Sequence, residues 1–105
     1  MVHRLVVSYG QPDDPAAFDA YYRDTHVPLA TEMPGLVRYT IGSPQAMDPS
    51  QSVPYLVAEL DFESAEAMGA GMSSAAGAAA GADVGTFATG GATMSSFDVE
   101  DVSPA

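Results

Sequence analysis

Among its 105 residues the chain has no cysteine, no lysine and no tryptophan. Without thiols it has no cysteine nucleophile, no Fe–S cluster, no cysteine-type zinc site and no disulfide. Without an ε-amine it cannot form a Schiff base of its own. Basic charge is nearly missing as well: three arginines stand against 14 acidic residues, a formal charge of −11. Such a surface repels phosphate backbones, so nucleic acids and anionic membranes are poor partners. No stretch approaches the ~20 apolar residues of a membrane span. The opening MVHRLVVSYG is too short in its apolar run for a secretion signal and is followed by no small-residue cleavage site, which points to a cytoplasmic protein. The length fits one domain over residues 1–105. A chain this small, with no covalent staple, is expected to gain further burial by self-association.

What is present is organised by period. Leu5, Val7 and Tyr9 alternate with Arg4, Val6 and Ser8, the spacing of a strand. Gly10, Pro12 and two aspartates break it, and Asp14-Pro15 is a helix start: the aspartate caps free N–H groups and proline fits the first turn. Phe18, Tyr22, Thr25 or His26, and Leu29 then fall on one helical face, while Asp19 and Arg23 are spaced to pair. Pro28 disfavours helical geometry at Val27, so the helix is predicted to end or kink near His26. Pro34-Gly35 is a turn, Leu36 to Ile41 a second strand, 42–52 a polar loop and Tyr55 to Phe62 a third strand. Ser64 caps a second helix over Ala65 to Met72. The run SSAAGAAAGA at 73–82 reads as a short helix against the sheet, with a flexible linker as the alternative. Thr86 to Val99 is read as the last strand, Gly90-Gly91 as a bulge or bend within it, and 100–105 as a loose tail.

The order β-α-β-β-α-β predicts an α+β, ferredoxin-like fold: a four-stranded antiparallel sheet with both helices on one face. The other face carries apolar side chains that must also be covered. Two sheets packed across a dimer axis, a homodimer through the open face, would do this. Arg4, Arg38 and Glu59 are placed on that face.

The segment YGQPDDPAAFDAYYRDTHVPLATEMPGL and the later ADVGTFATGGATM resemble the EthD family of dimeric α/β barrels, and the two stretches bracket the chain. The resemblance implies a ferredoxin-like dimer with a small apolar pocket between sheet and helices. It also implies a link to ethyl tert-butyl ether degradation, in which the family's eponym accompanies an oxygenase system. The wider superfamily includes cofactor-free monooxygenases, cyclases, dehydratases and isomerases. Fold therefore leaves function open, and the site has to decide it.

Within the matched motif His26 is the candidate acid/base, with Tyr22 four residues earlier on the same helical face. Tyr9, Phe18, Leu29, Phe87 and Met94 are expected to contact a small hydrophobic or aromatic ligand, methionine adapting to irregular shapes. The alternative for His26 is structural, a ring that hydrogen-bonds to helix-end carbonyls. His3, outside the motif, reads as an ordinary strand residue. No histidine or carboxylate stands at an HxxxH or HxxE spacing, and there is no GK[ST] or GxGxxG loop, so no metal or organic cofactor is expected. The acidic residues read as a solvated surface. Three function classes remain: a cofactor-free enzyme, a non-catalytic ligand-binding or accessory protein of an oxygenase system, and a purely structural dimer in which His26 only ties a turn.

Overall fold

A computed structural model describes residues 1–103. The last two positions of the tail expected over 100–105 lie outside the described residues. Strand β1 (His3–Tyr9) is buried at every second residue, as its alternation predicts. Helix α1 (Pro15–Tyr21) starts where expected: Asp14 accepts the Ala17 N–H at 3.1 Å and proline occupies the first turn. The chain then runs through a π-helical turn (Tyr22–His26) into α2 (Val27–Thr31).

Of the end or kink expected near His26, the end does not occur: the helix continues through an irregular turn. Val27 keeps helical angles (φ −57°, ψ −47°), and its N–H reaches back to the Tyr22 carbonyl, five residues earlier. The widened turn moves backbone carbonyls clear of the Pro28 ring, which in a regular helix would clash with the carbonyl four residues back. Proline thus produces a bulge rather than a stop.

Strands β2 (Leu36–Gly42) and β3 (Leu56–Phe62) follow, joined by the polar loop. Helix α3 (Ala65–Ser73) is capped by Ser64, whose oxygen accepts the Ala67 N–H at 3.0 Å. Helix α4 (Ala75–Phe87) is capped in the same way by Ser74, and it corrects two expectations. The alanine-glycine run is helical rather than a linker, but it belongs to a longer helix of 13 residues that ends at Phe87, inside the segment read as the last strand. Close packing explains why glycine is tolerated early in it: a Cβ on Gly77 would lie 2.3 Å from the Gly71 carbonyl oxygen of α3. The last strand, β4 (Ala92–Asp98), is correspondingly shorter than expected. Gly90-Gly91 precedes it as a turn, with Gly91 at φ 86°.

The four strands form one antiparallel sheet in the order β2-β3-β1-β4. One face packs on the helices, and the core lies between them. Tyr9, Phe18, Tyr22 and Phe87 form its aromatic centre, with ring centroids 5.3–5.8 Å apart. Contacts of this kind add about 0.5–1.5 kcal/mol per pair to the burial itself.

The opposite face is uncovered by helices. It presents half-buried Val6 and Val57 and exposed Phe97 around a charged centre. Arg4 donates twice to Asp61, at 2.7 and 3.0 Å, and lies 3.9 Å from Glu59. Arg38 stands opposite Asp61 in the strand register. The expected charged group is therefore on this face, but its hub is buried Asp61. The Arg4 guanidinium, by hydrogen bond, holds that carboxyl below the ordinary carboxylate range. The expected Asp19–Arg23 pair gives way to another contact: Asp19 accepts the Tyr55 hydroxyl at 2.9 Å.

Candidate active site

His26 closes the π turn, and its ring points into the protein rather than along the helix axis. The turn leaves it 5.2 Å from the Tyr22 ring and 4.7 Å from the Phe87 ring, centroid to centroid. Its polar partner is not a helix-end carbonyl. Nδ1 lies 2.9 Å from Oδ2 of Asp83 on α4, and the two side chains are only 6% and 11% exposed. An ionised carboxylate accepts and cannot donate, so a neutral ring facing one at this distance carries its proton on Nδ1 and its lone pair on Nε2. Among the described residues Nε2 has no hydrogen-bond partner in the protein, yet it is not sealed away from solvent.

The ring borders a hollow between the sheet and the helices. The sheet supplies Leu5, Val7, Tyr9, Tyr39, Ala58, Leu60 and Met94; the helices supply His26, Ala30, Met72, Gly77, Ala80, Gly81 and Val84, with Met33 just beyond α2. The walls are apolar except for one imidazole and two phenols. At about 40 Å³ the hollow is narrow, with room for a few waters. Met94 is half exposed, because β4 is a sheet edge with no helix above it.

Three tyrosines stand together beside the imidazole. The hydroxyls of Tyr22 and Tyr39 share a hydrogen bond of 2.6 Å. Burial pushes the Tyr22 phenol well above its ordinary pKa, and its bond to Tyr39 adds to this. Burial, with the neighbouring Tyr39, does the same to Tyr9. Both shifts favour the neutral phenol, the form that can donate a hydrogen bond.

The residues expected from sequence separate accordingly. His26, Tyr9 and Met94 line the hollow. Tyr22 is fully buried one layer behind it, where its ring packs on the wall residues His26 and Tyr9 and its hydroxyl bonds that of Tyr39. Phe18 and Phe87 back the site from the aromatic core and face an outer groove with Tyr21. Leu29 is half-buried and does not reach the hollow; one turn of α2 presents Ala30 there instead. The sequence reading passed over Asp83 as surface charge. A signal was available: between Glu66 and Asp98 it is the only charged residue. No group of three or more His, Cys, Asp or Glu side chains is arranged to hold a metal ion among the described residues. No helix among them is long and apolar enough to cross a membrane.

Sheet order, one-sided helices and antiparallel register place the chain in the ferredoxin-like class of α+β proteins. Among solved structures it superposes on an EthD family protein from Bacillus halodurans C-125 with a TM-score of 0.87 at 31% identity, covering 95% of this chain and 100% of that one. A dimeric ferredoxin-like protein from Thermobifida fusca shares the fold at 14% identity, with a TM-score of 0.72 over 94% of this chain and 92% of its own. In sequence, an uncharacterized 11.0 kDa protein of the thcB-thcC intergenic region of Rhodococcus erythropolis is 40% identical over 103 residues, 98% of this chain and all of its own length. The EthD domain matches residues 11–91, and the chain belongs to the EthD family.

Proposed function

We propose that the protein takes a small hydrophobic or aromatic molecule into the hollow and that His26 acts on it as general base. The observation that carries this is the part-buried Asp83–His26 pair. Asp83 fixes the imidazole in the tautomer whose lone pair is free, and the free nitrogen belongs to a ring on the wall of an apolar cavity. The wall carries no cysteine, serine or threonine for the base to activate as a nucleophile. In this reading the proton it removes is the ligand's own, from an acidic C–H or a phenolic O–H. The Tyr9 and Tyr39 hydroxyls supply donors toward the enolate or phenolate that results. Enolisation, cyclisation, dehydration and cofactor-free oxygenation all begin with this step.

A second reading needs the same hollow but no proton transfer: a non-catalytic carrier or accessory protein for an oxygenase system. In either case Met72 and Met94 must move for a ring-sized ligand to enter, which their unbranched side chains allow. We further propose that two copies pair through the uncovered sheet face, where Val6, Val57 and Phe97 surround the Arg4–Asp61 pair.

Native mass spectrometry of freshly purified protein reads bound ligand and dimer mass together. Proton–deuterium exchange at the acidic carbon of β-tetralone, followed by NMR in D₂O, reads the base. His26→Ala is expected to lower the exchange rate by about a hundredfold or more while keeping the dimer. Exchange that is equally fast in His26→Ala removes the catalytic reading; binding of the ketone without exchange in the wild type leaves the carrier.

A further inference from the structure

The same pair has a third member outside the hollow. The Tyr21 hydroxyl donates to Oδ1 of Asp83 at 2.5 Å, a short charge-assisted bond on the oxygen that His26 does not use. Tyr21 is the last residue of α1, immediately before the π turn that carries His26, whereas Asp83 lies on α4. Its ring packs against Phe87, centroids 5.5 Å apart, and borders the outer groove with Pro12, Asp13, Asp14 and Ala17. The carboxylate is thus gripped from both sides, one oxygen per partner.

We propose that Tyr21 is a positioning residue for the base: by occupying Oδ1 it sets the rotation of the Asp83 carboxylate, and so the tautomer and direction of the His26 ring. This rests on the reading of His26 as a base and adds a residue to it. The physical reason is geometric. A lone carboxylate hydrogen-bonded to one imidazole can turn about its Cβ–Cγ bond and present either oxygen. A carboxylate held at the other oxygen by a phenol from a neighbouring helix cannot. The hydroxyl also draws charge out of the carboxylate, which tempers its pull on the imidazole proton.

The surroundings of the ring name the groups that can shift its ionisation. Asp83 and Phe87 face it from α4, Tyr22 from its own turn, and Tyr9 and Tyr39 from the sheet across the hollow. Arg23 and Asp24, on the same turn as His26, are exposed. Asp83 is the one of these that brings a carboxylate within hydrogen-bond reach of the ring, with its side chain only 11% exposed, so its orientation governs the ring.

The test is ¹⁵N NMR of the His26 ring across a pH titration, in wild type, Tyr21→Phe and Asp83→Asn. Phenylalanine keeps the ring contact with Phe87, so the variant folds, and the dispersion of the same spectra checks this. The wild type is expected to show one tautomer above its pKa, with the proton on Nδ1. Tyr21→Phe is expected to give a mixture of tautomers and an apparent pKa raised by about half a unit, because the carboxylate has lost a donor. His26 spectra that superimpose on the wild type throughout, even with a lowered Tm, overturn the proposal and leave Tyr21 a packing residue. If Asp83→Asn also leaves His26 unchanged, the base reading falls with it. If Asp83→Asn shifts the ring and Tyr21→Phe does not, only the role of Tyr21 is lost.

Discussion

Gly81 offers a way to separate the hollow from the stability of the protein. It lies in the middle of α4 and lines the hollow, yet a Cβ built on it meets nothing within 4 Å. Glycine there costs about 0.8 kcal/mol of helix stability relative to leucine. Leucine at this site restores that amount and places its isobutyl group over a space of about 40 Å³. Gly81→Leu should therefore stabilise the fold by about 1 kcal/mol, a rise in Tm of about 4–8 °C for a domain of this size, while closing the hollow to any ligand. Gly85→Leu is the matched control. It lies on the same helix, its Cβ is equally unobstructed, and it does not line the hollow. Thermal melts by circular dichroism and uptake of β-tetralone by native mass spectrometry measure the two quantities on the same samples. Both variants should melt higher, and only Gly81→Leu should lose uptake. Undiminished uptake in Gly81→Leu, or equal loss in both, would refute the assignment of the hollow as the binding site.

Two further outcomes follow from the uncovered sheet face. Asp61 titrates below its ordinary value when folded, so its pairing with Arg4 stabilises the protein above the unfolded carboxylate pKa and is lost as pH falls through the lower folded one. Asp61→Asn should accordingly be less stable at neutral pH by about 1–3 kcal/mol, with the gap closing below about pH 4; urea melts at several pH values show this, and a gap independent of pH contradicts it. Val57→Lys puts a charge among the apolar residues proposed to meet across the dimer axis, next to Ser8 and Gly42 in the register and clear of the core. Sedimentation should show a folded monomer in place of the dimer proposed for the wild type, and a wild type that sediments as a monomer at the same concentration sinks the interface.

Much of the scaffold could be read from local chemistry. The alternation in β1, the Asp14-Pro15 start of α1 and the Ser64 cap of α3 are each decided within a few residues, and each appears where the residues put it. Where the structure departs, a distant partner has intervened. Pro28 was legible as a disturbance near His26, and it takes the form of a bulge in a helix that keeps Tyr22 and Ala30 buried. Glycines in α4 argued for a marginal helix, and packing of Gly77 on the α3 backbone supports 13 residues of it.

The site divides in the same way. From the chain alone came the histidine, the neighbouring phenols, the exclusion of thiol and ε-amine chemistry, and the element order that leaves one sheet face bare. None of these depends on more than composition or short-range spacing. Tertiary structure alone brought Asp83 to His26 across 57 positions, turned Leu29 away in favour of Ala30, and made Asp61 the hub of the open face. A carboxylate's role depends on what faces it once water has been removed, and that is a property of packed surfaces which no local pattern encodes.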